Sequence, residues 1–241
     1  MIGHYRMAGR IGLICAMALF TGTLTGQAQE PARSGNTNTA VKYNPPVRNA
    51  PAGRVGGSTR GTVESDLTVE VLAPDHVGLS SVDQPVLYWF LSRPVAKPLE
   101  ITIDTVEVSS GGPLLEKTLG NSWPAGISGL ALRDVGVRLK PGVTYRWSVA
   151  VVFDPAQRSR DVIASGLIQH VRATARPAHA DADADAAARI SAGNGYWYDA
   201  LADLSRDIDR RPGRRGQRAD LLEQVGLATP AAFDRAAEPR S

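Results

Sequence analysis

Between residues 66 and 171 short apolar runs recur with turn residues between them. Leu67, Val69 and Val71 alternate with Thr68 and Glu70, and Leu99, Ile101 and Ile103 alternate in the same way, so both runs predict strands with one wet face. Val86–Leu91 is a continuous apolar run, which suits a central strand buried on both faces. Runs at 114–119, 127–132, 143–153 and 162–171 complete a set of seven predicted strands. Leu139, Pro141, Gly142 and Tyr145 lead into the sixth at the spacing of a tyrosine corner, in which the phenol bonds back to backbone a few residues upstream. Trp89 and Trp147 are the natural anchors of the core, because each buries a large apolar area.

After Arg176 and Pro177 the composition shifts to Ala, Asp, Arg and Leu, and the period shifts to that of a helix. One Ala-rich helix is predicted over 181–192, a second over 196–210 with Pro212 and Gly213 as its stop, and a last one carrying Leu221, Leu222 and Val225. In the second, Trp197, Leu201, Leu204 and Ile208 fall at i, i+4, i+7 and i+11, a single apolar stripe. Gly195, Tyr198, Ala200, Leu201 and Pro212 are spaced as in the second helix of a tetratricopeptide hairpin. Such repeats need about three copies to bury a continuous core. A single hairpin must therefore lean on the sandwich, on the last helix or on a partner. Tyr196, Tyr198 and Arg206 lie off the Trp197 stripe and are the expected docking face.

The fold class expected is mainly β with an α-helical tail: an immunoglobulin or fibronectin III-like sandwich, whose constant-type form has seven strands, then a tetratricopeptide-like hairpin plus one helix. The expected divisions are a signal peptide at 1–28, a flexible leader at 29–62, the sandwich at 63–176 and the helical unit at 177–241.

The two ends of this plan rest on composition. Arg6 and Arg10 precede an apolar run from Ile11 to Leu24, and Gly26, Gln27 and Ala28 supply small residues for cleavage after Ala28. That run is short of the roughly 20 residues a membrane span needs. A secreted or periplasmic protein is expected. From 29 to 62 Asn, Thr, Ser, Gly and Pro dominate, with few side chains to offset the entropy of ordering. Loss of 1–28 removes Arg6 and Arg10 and no acidic residue, which takes the formal charge of +3 close to zero. A nearly neutral surface gives no electrostatic footing for nucleic acid. The only cysteine, Cys15, lies in the signal, so neither disulfides nor thiolate chemistry is available to the mature chain.

The remaining motifs yield no catalytic residue. The glycine-rich stretch 53–61 lacks the Gly-Lys-Ser/Thr ending of a phosphate loop. Asp181, Asp183 and Asp185 resemble the opening of a calcium loop, but Ala186 and Ala192 stand where that loop needs Gly and Glu, and carboxylates at a helix start already oppose its dipole. There is no Gly-x-Ser-x-Gly elbow, and His76, His170 and His179 have no companions at metal-ligand spacing. No cofactor and no metal is expected. One turn joins two sandwich strands and carries Asp154, Arg158, Arg160 and Asp161. Its arginines can fork onto a carboxylate or phosphate. The plainer reading pairs them with the two aspartates, which also cap backbone amides.

Taken together, Gly-Gly-Ser-Thr-Arg-Gly (56–61), Tyr-Trp-Phe (88–90), Tyr-Arg-Trp (145–147), Asp-Pro-x-x-Arg-Ser-x-Asp (154–161) and Gly-Tyr-Trp-Tyr-Asp-Ala-Leu (195–201) resemble the bacterial domain-of-unknown-function family nine-two-eight. Phe153 and Leu167 stand where that family's pattern has Cys and Trp. The resemblance implies a secreted protein with no catalytic residues to carry over, in a context similar to envelope sensor and adhesion systems. The expected function is a non-enzymatic binding or adaptor protein that docks a protein partner in the cell envelope. The alternatives are a hydrolase or carbohydrate-binding accessory with a cleft between sandwich and tail, and a purely structural protein whose tail covers a sheet edge.

Overall fold

Among the described residues, alternation of apolar and polar side chains sorts nine strands into two sheets. The computed structural model describes residues 40–46, 53–58, 66–107, 112–173, 184–206, 208 and 210–237. The strands are β1 (Gly57–Ser58), β2 (Thr68–Val71), β3 (Gly78–Ser80), β4 (Val86–Leu91), β5 (Leu99–Thr105), β6 (Leu115–Gly120), β7 (Gly126–Ala131), β8 (Thr144–Val151) and β9 (Val162–His170). One sheet has the order β1-β2-β4-β7 and the other β3-β9-β8-β5-β6. All pairings are antiparallel except β3 with β9, where Gly78 lies opposite Ile168. Each of the seven predicted strands is present, joined by the short β1 and β3.

The inward sides of the two sheets meet in one apolar core. Trp89, Trp147, Val69, Leu87, Ile101 and Val149 are among its fully buried members. Each such side chain contributes about 1.5–3 kcal/mol relative to exposure. The crossing from β7 to β8 carries the tyrosine corner: the buried Tyr145 hydroxyl accepts the Lys140 amide at 3.2 Å. Gly142 makes the turn at a φ of 78°, which a residue with Cβ adopts only at a cost.

Among the described residues the tail forms four helices: α1 (Ala184–Gly193), α2 (Trp197–Ser205), α3 (Arg214–Glu223) and α4 (Ala228–Ala236). The expectation of one helix after the hairpin is therefore corrected to two. Gly226, at a φ of 74°, turns the chain out of α3, and Pro230 sits in the first turn of α4, where its missing N–H costs nothing. The predicted stripe of α2 is buried as far as Leu204, but the helix stops at Ser205 and Ile208 lies beyond it.

Helices and sheets share their core rather than merely touching. Trp197 Nε1 donates to Leu72 O at 2.8 Å, and the Phe90 and Phe233 rings meet edge to face at 5.4 Å. A buried ion pair ties α3 to α4, with Arg218 held by Asp234 at 2.6 and 2.7 Å. Two stretches within the segment read as a leader lie on this core. Val41 and Tyr43 are buried; the Tyr43 amide donates to Gln224 Oε1 at 2.8 Å and Asn44 N to Ala192 O at 3.0 Å. Further on, Val55 and Ser165 exchange backbone bonds of 2.8 and 2.9 Å, and Arg54 Nη1 joins Ala73 O to Val225 O at 3.0 Å each. Tyr43 packs against Trp197 and bonds to Gln224 from the far end of the chain, which local composition does not reveal. The predicted signal peptide lies outside the described residues.

Candidate functional site

Where the α1–α2 hairpin meets the sandwich, an open cleft of about 240 Å³ remains. One wall is the segment from Ser81 to Val86 together with Arg133, and the other is the face of α1 and α2 that includes Ile190, Ser191 and Asp203, with Arg206 just past the end of α2. Tyr196 and Asn194 line it from the turn between the two helices.

One buried and one part-buried set of contacts hold these walls in register. The Tyr198 hydroxyl accepts Trp147 Nε1 at 2.8 Å and donates to Leu167 O at 3.0 Å, so a residue of α2 is bonded to both β8 and β9. Burial pushes the Tyr198 phenol well above its ordinary range, so it stays protonated and able to donate. One residue on, Asp199 accepts from Ser80 Oγ at 2.7 Å, from the Ser81 amide at 2.9 Å and from the Ser81 hydroxyl. Asp199 also stands in the first turn of α2, where a carboxylate opposes the helix dipole.

The hydroxyls of Ser80 and Ser81 meet a carboxylate directly, whereas a serine nucleophile needs a base such as imidazole within reach. The nearby His170 turns Nδ1 toward the Ser80 backbone carbonyl at 3.3 Å, not toward a hydroxyl. His170 is itself buried, at the end of β9 opposite Ser80 of β3. His76 pairs with the Tyr43 hydroxyl at 2.9 Å and with Asp75 at 3.1 Å. His179 and Asp181–183 lie outside the described residues, while Asp185 forms an ion pair with Arg214 at 3.1 Å. Among the described residues, no group of His, Cys, Asp or Glu is placed to hold a metal ion, and no helix is long and apolar enough to cross a membrane.

The chain can now be placed among known proteins. It belongs to the bacterial family Domain of Unknown Function (DUF928), whose model matches residues 55–234. No curated protein matches the sequence. The DUF928 match spans both sheets and nearly all of the four helices, so sandwich, cleft and tail lie within one family unit.

The residues singled out from this DUF928 sequence fall in two places. Tyr196 and Arg206 line the cleft; Tyr196 is half-buried and Arg206 exposed, with Nη2 on Asp203 at 3.1 Å. Tyr198 does not belong to an exposed docking face: it is fully buried, because α2 is pressed against the sandwich on a broader front than the Trp197 stripe alone. Asp154, Arg158, Arg160 and Asp161 lie in the turn between β8 and β9. There Arg158 forks onto Glu100 at 2.6 and 3.3 Å and reaches Asp161 at 2.6 Å, and these hydrogen bonds, that to Glu100 foremost, push its pKa further up. Asp154 accepts the Ala156 amide at 2.9 Å. The fork is thus filled from within the chain. Sequence reasoning missed Asp83, Arg133, Ile190 and Asp199 in the cleft. Only Asp199 left a trace, as part of the Gly-Tyr-Trp-Tyr-Asp run at 195–199.

Proposed function

We propose that this chain is a non-enzymatic binding or adaptor protein of the cell envelope, and that its protein partner docks at the cleft between hairpin and sandwich. The observation that carries this reading is the meeting of Tyr196 and Arg206, two of the expected docking residues, with Ile190 and Arg133 around one open cleft. The volume of about 240 Å³ supports it. Sites that engulf a drug-sized molecule run to about 300–1,000 Å³, so this cleft suits a few side chains of a larger partner.

Two finer features of the fold belong to the same proposal. An immunoglobulin-like lineage is supported by the strand order, with β2, β4 and β7 in one sheet and β9, β8, β5 and β6 in the other, and by a tyrosine corner at the start of β8. A tetratricopeptide-like origin for α1–α2 is supported by the antiparallel hairpin and its Gly195 turn. Secretion rests on the pattern at residues 1–28.

The test is pull-down from envelope extracts with the full mature chain and with Ala202→Trp, which fills the cleft. Loss of specific partners from the variant is expected, and an unchanged partner list counts against docking there. Truncation at Pro177 is a poor substitute, because it strips Trp197 and Tyr198 from the shared core. A second reading, an envelope hydrolase or carbohydrate-binding accessory, is favoured by the presence of a cleft rather than a flat face. Its lining has Asp and Arg but no Trp on which a sugar ring stacks.

A further inference from the structure

We infer that two copies of this chain join edge to edge through β7, in an antiparallel pair centred on Gly129. β7 ends the four-stranded sheet, with β4 on one side of it and, among the described residues, no strand on the other. The phase of its hydrogen bonds follows from the register. Leu132 N donates to Pro85 O at 3.0 Å, and bonded pairs in an antiparallel ladder recur every second residue. Leu130, Ser128 and Gly126 therefore bond to Leu87, Trp89 and Leu91 of β4. Ile127, Gly129 and Ala131 turn N–H and C=O the other way, where no described backbone group meets them.

The other sheet edges are blunted in ways that β7 is not. β1 has two residues, and β3 is met by Asp199 of α2 at Ser80 and Ser81. β6 carries exposed Glu116 and Lys117, and its ladder with β5 is broken by a register shift. Short length, charge, irregularity and a covering helix are the devices that keep an edge from pairing. β7 reads Gly-Ile-Ser-Gly-Leu-Ala, without charge or proline. Gly129 is exposed and has no side chain to shield its amide, while the Tyr88 ring covers one face of it so closely that an added Cβ would lie 2.7 Å away.

This edge is complementary to itself. Pairing about Gly129 sets Ile127 opposite Ala131, Gly129 opposite Gly129 and Ser128 opposite Leu130 of the second copy. Every outward-turned residue then meets another, so each free N–H and C=O of both copies is bonded. A slide by two residues leaves one outward-turned residue of each copy without its match. Charge agrees with this register: Arg133 and Asp134, just past Ala131, fall at opposite ends of the seam in the two copies, so like charges are not opposed. An edge about 20 Å long on a sheet about 10 Å deep offers about 200 Å² per copy. That is below what a permanent interface buries, so the dimer is reversible and forms at micromolar concentration or above. The seam shares no residue with the cleft lining, and the inference is independent of the docking reading.

The test is sedimentation equilibrium of the full mature chain from micromolar to millimolar concentration, with hydrogen exchange read at single amides. The mass should rise from one chain towards two. The amides of Ile127, Gly129 and Ala131 should gain protection with concentration, while those of Ser128 and Leu130, already bonded to β4, should not change. Ala131→Pro removes an outward N–H from each copy and no bond to β4, and Ala131 already holds a φ of −78° that proline adopts. Its thermal melt at low concentration should match the parent, and its association should be at least about tenfold weaker. Ala131→Ser keeps the amide and should associate as the parent does. A chain that stays monomeric at millimolar concentration, a dimer that Ala131→Pro leaves intact, or exchange at Ile127, Gly129 and Ala131 that ignores concentration overturns the inference. If the proline variant does not fold, exchange at these three amides of the parent decides the matter.

Discussion

Tyr198→Phe removes one oxygen from the place where tail and sandwich are joined. That oxygen accepts Trp147 Nε1 at 2.8 Å and donates to Leu167 O at 3.0 Å, and both Tyr198 and Trp147 are fully buried. Phenylalanine keeps the ring and so leaves the packing intact. The indole N–H is left in an apolar interior, and the carbonyl loses a donor. An orphaned buried polar group costs about 1–3 kcal/mol, which for these two groups amounts to about 2–4 kcal/mol. With a urea m-value of about 2–3 kcal/mol/M, the unfolding midpoint should fall by about 1 M with m unchanged. Tryptophan fluorescence during urea titration reads the transition, and Tyr196→Phe, at the half-buried cleft rim, serves as the control and should cost less than about 0.5 kcal/mol. Trp147→Phe closes a double-mutant cycle: once the indole N–H is gone, loss of the hydroxyl should cost at least about 1 kcal/mol less. A Tyr198→Phe midpoint within about 0.2 M of the parent, or strict additivity in the cycle, would refute the interlock.

Alkaline pH should destabilise the fold. Burial raises the phenols of Tyr43, Tyr88 and Tyr198, so the folded chain keeps protons that the unfolded chain releases near the ordinary value of about 10. Stability should be flat below about pH 10 and then fall by up to about 1.4 kcal/mol per pH unit for each such tyrosine; urea midpoints at pH 9, 10 and 11 test this, and Tyr43→Phe should shallow the slope. Arg218→Ala leaves the buried Asp234 carboxylate, otherwise bonded at 2.6 and 2.7 Å, without its main partner, and should cost about 3–5 kcal/mol in urea titration, with partial recovery when Asp234→Ala is added. Gly195→Ala places a Cβ 2.9 Å from Asn44 O at a φ of 78°, so a loss of about 1–3 kcal/mol and faster hydrogen exchange at the Asn44 amide are expected.

Much of the scaffold was legible because its signals are local. Val86–Leu91 was readable as a strand from its own six residues, and the α2 stripe from its helical period. Tyr145 announced its bond because the acceptor–donor pair is five residues apart. The cleft was not legible in that way. The segment from Ser81 to Val86 lies more than a hundred residues before Ile190 on the facing wall, and the Ser81–Asp199 bond that joins the walls spans 118 positions. A carboxylate in a helical run gives no sign of which distant hydroxyl it will meet.

The apolar pattern by itself determined seven strands, a two-sheet core and a helical tail, since burial of alternating and 3.6-period faces depends on neighbours along the chain. Tertiary structure alone decided the rest. It buried Tyr198, which local period assigned to the surface, because two elements far apart in sequence closed over it. It filled the Arg158 fork with Glu100 and Asp161, and it set Arg133 against Asp134 in a long, exposed pair. Whether a polar group is spent within the fold or offered to a partner depends on distances that only the folded chain sets.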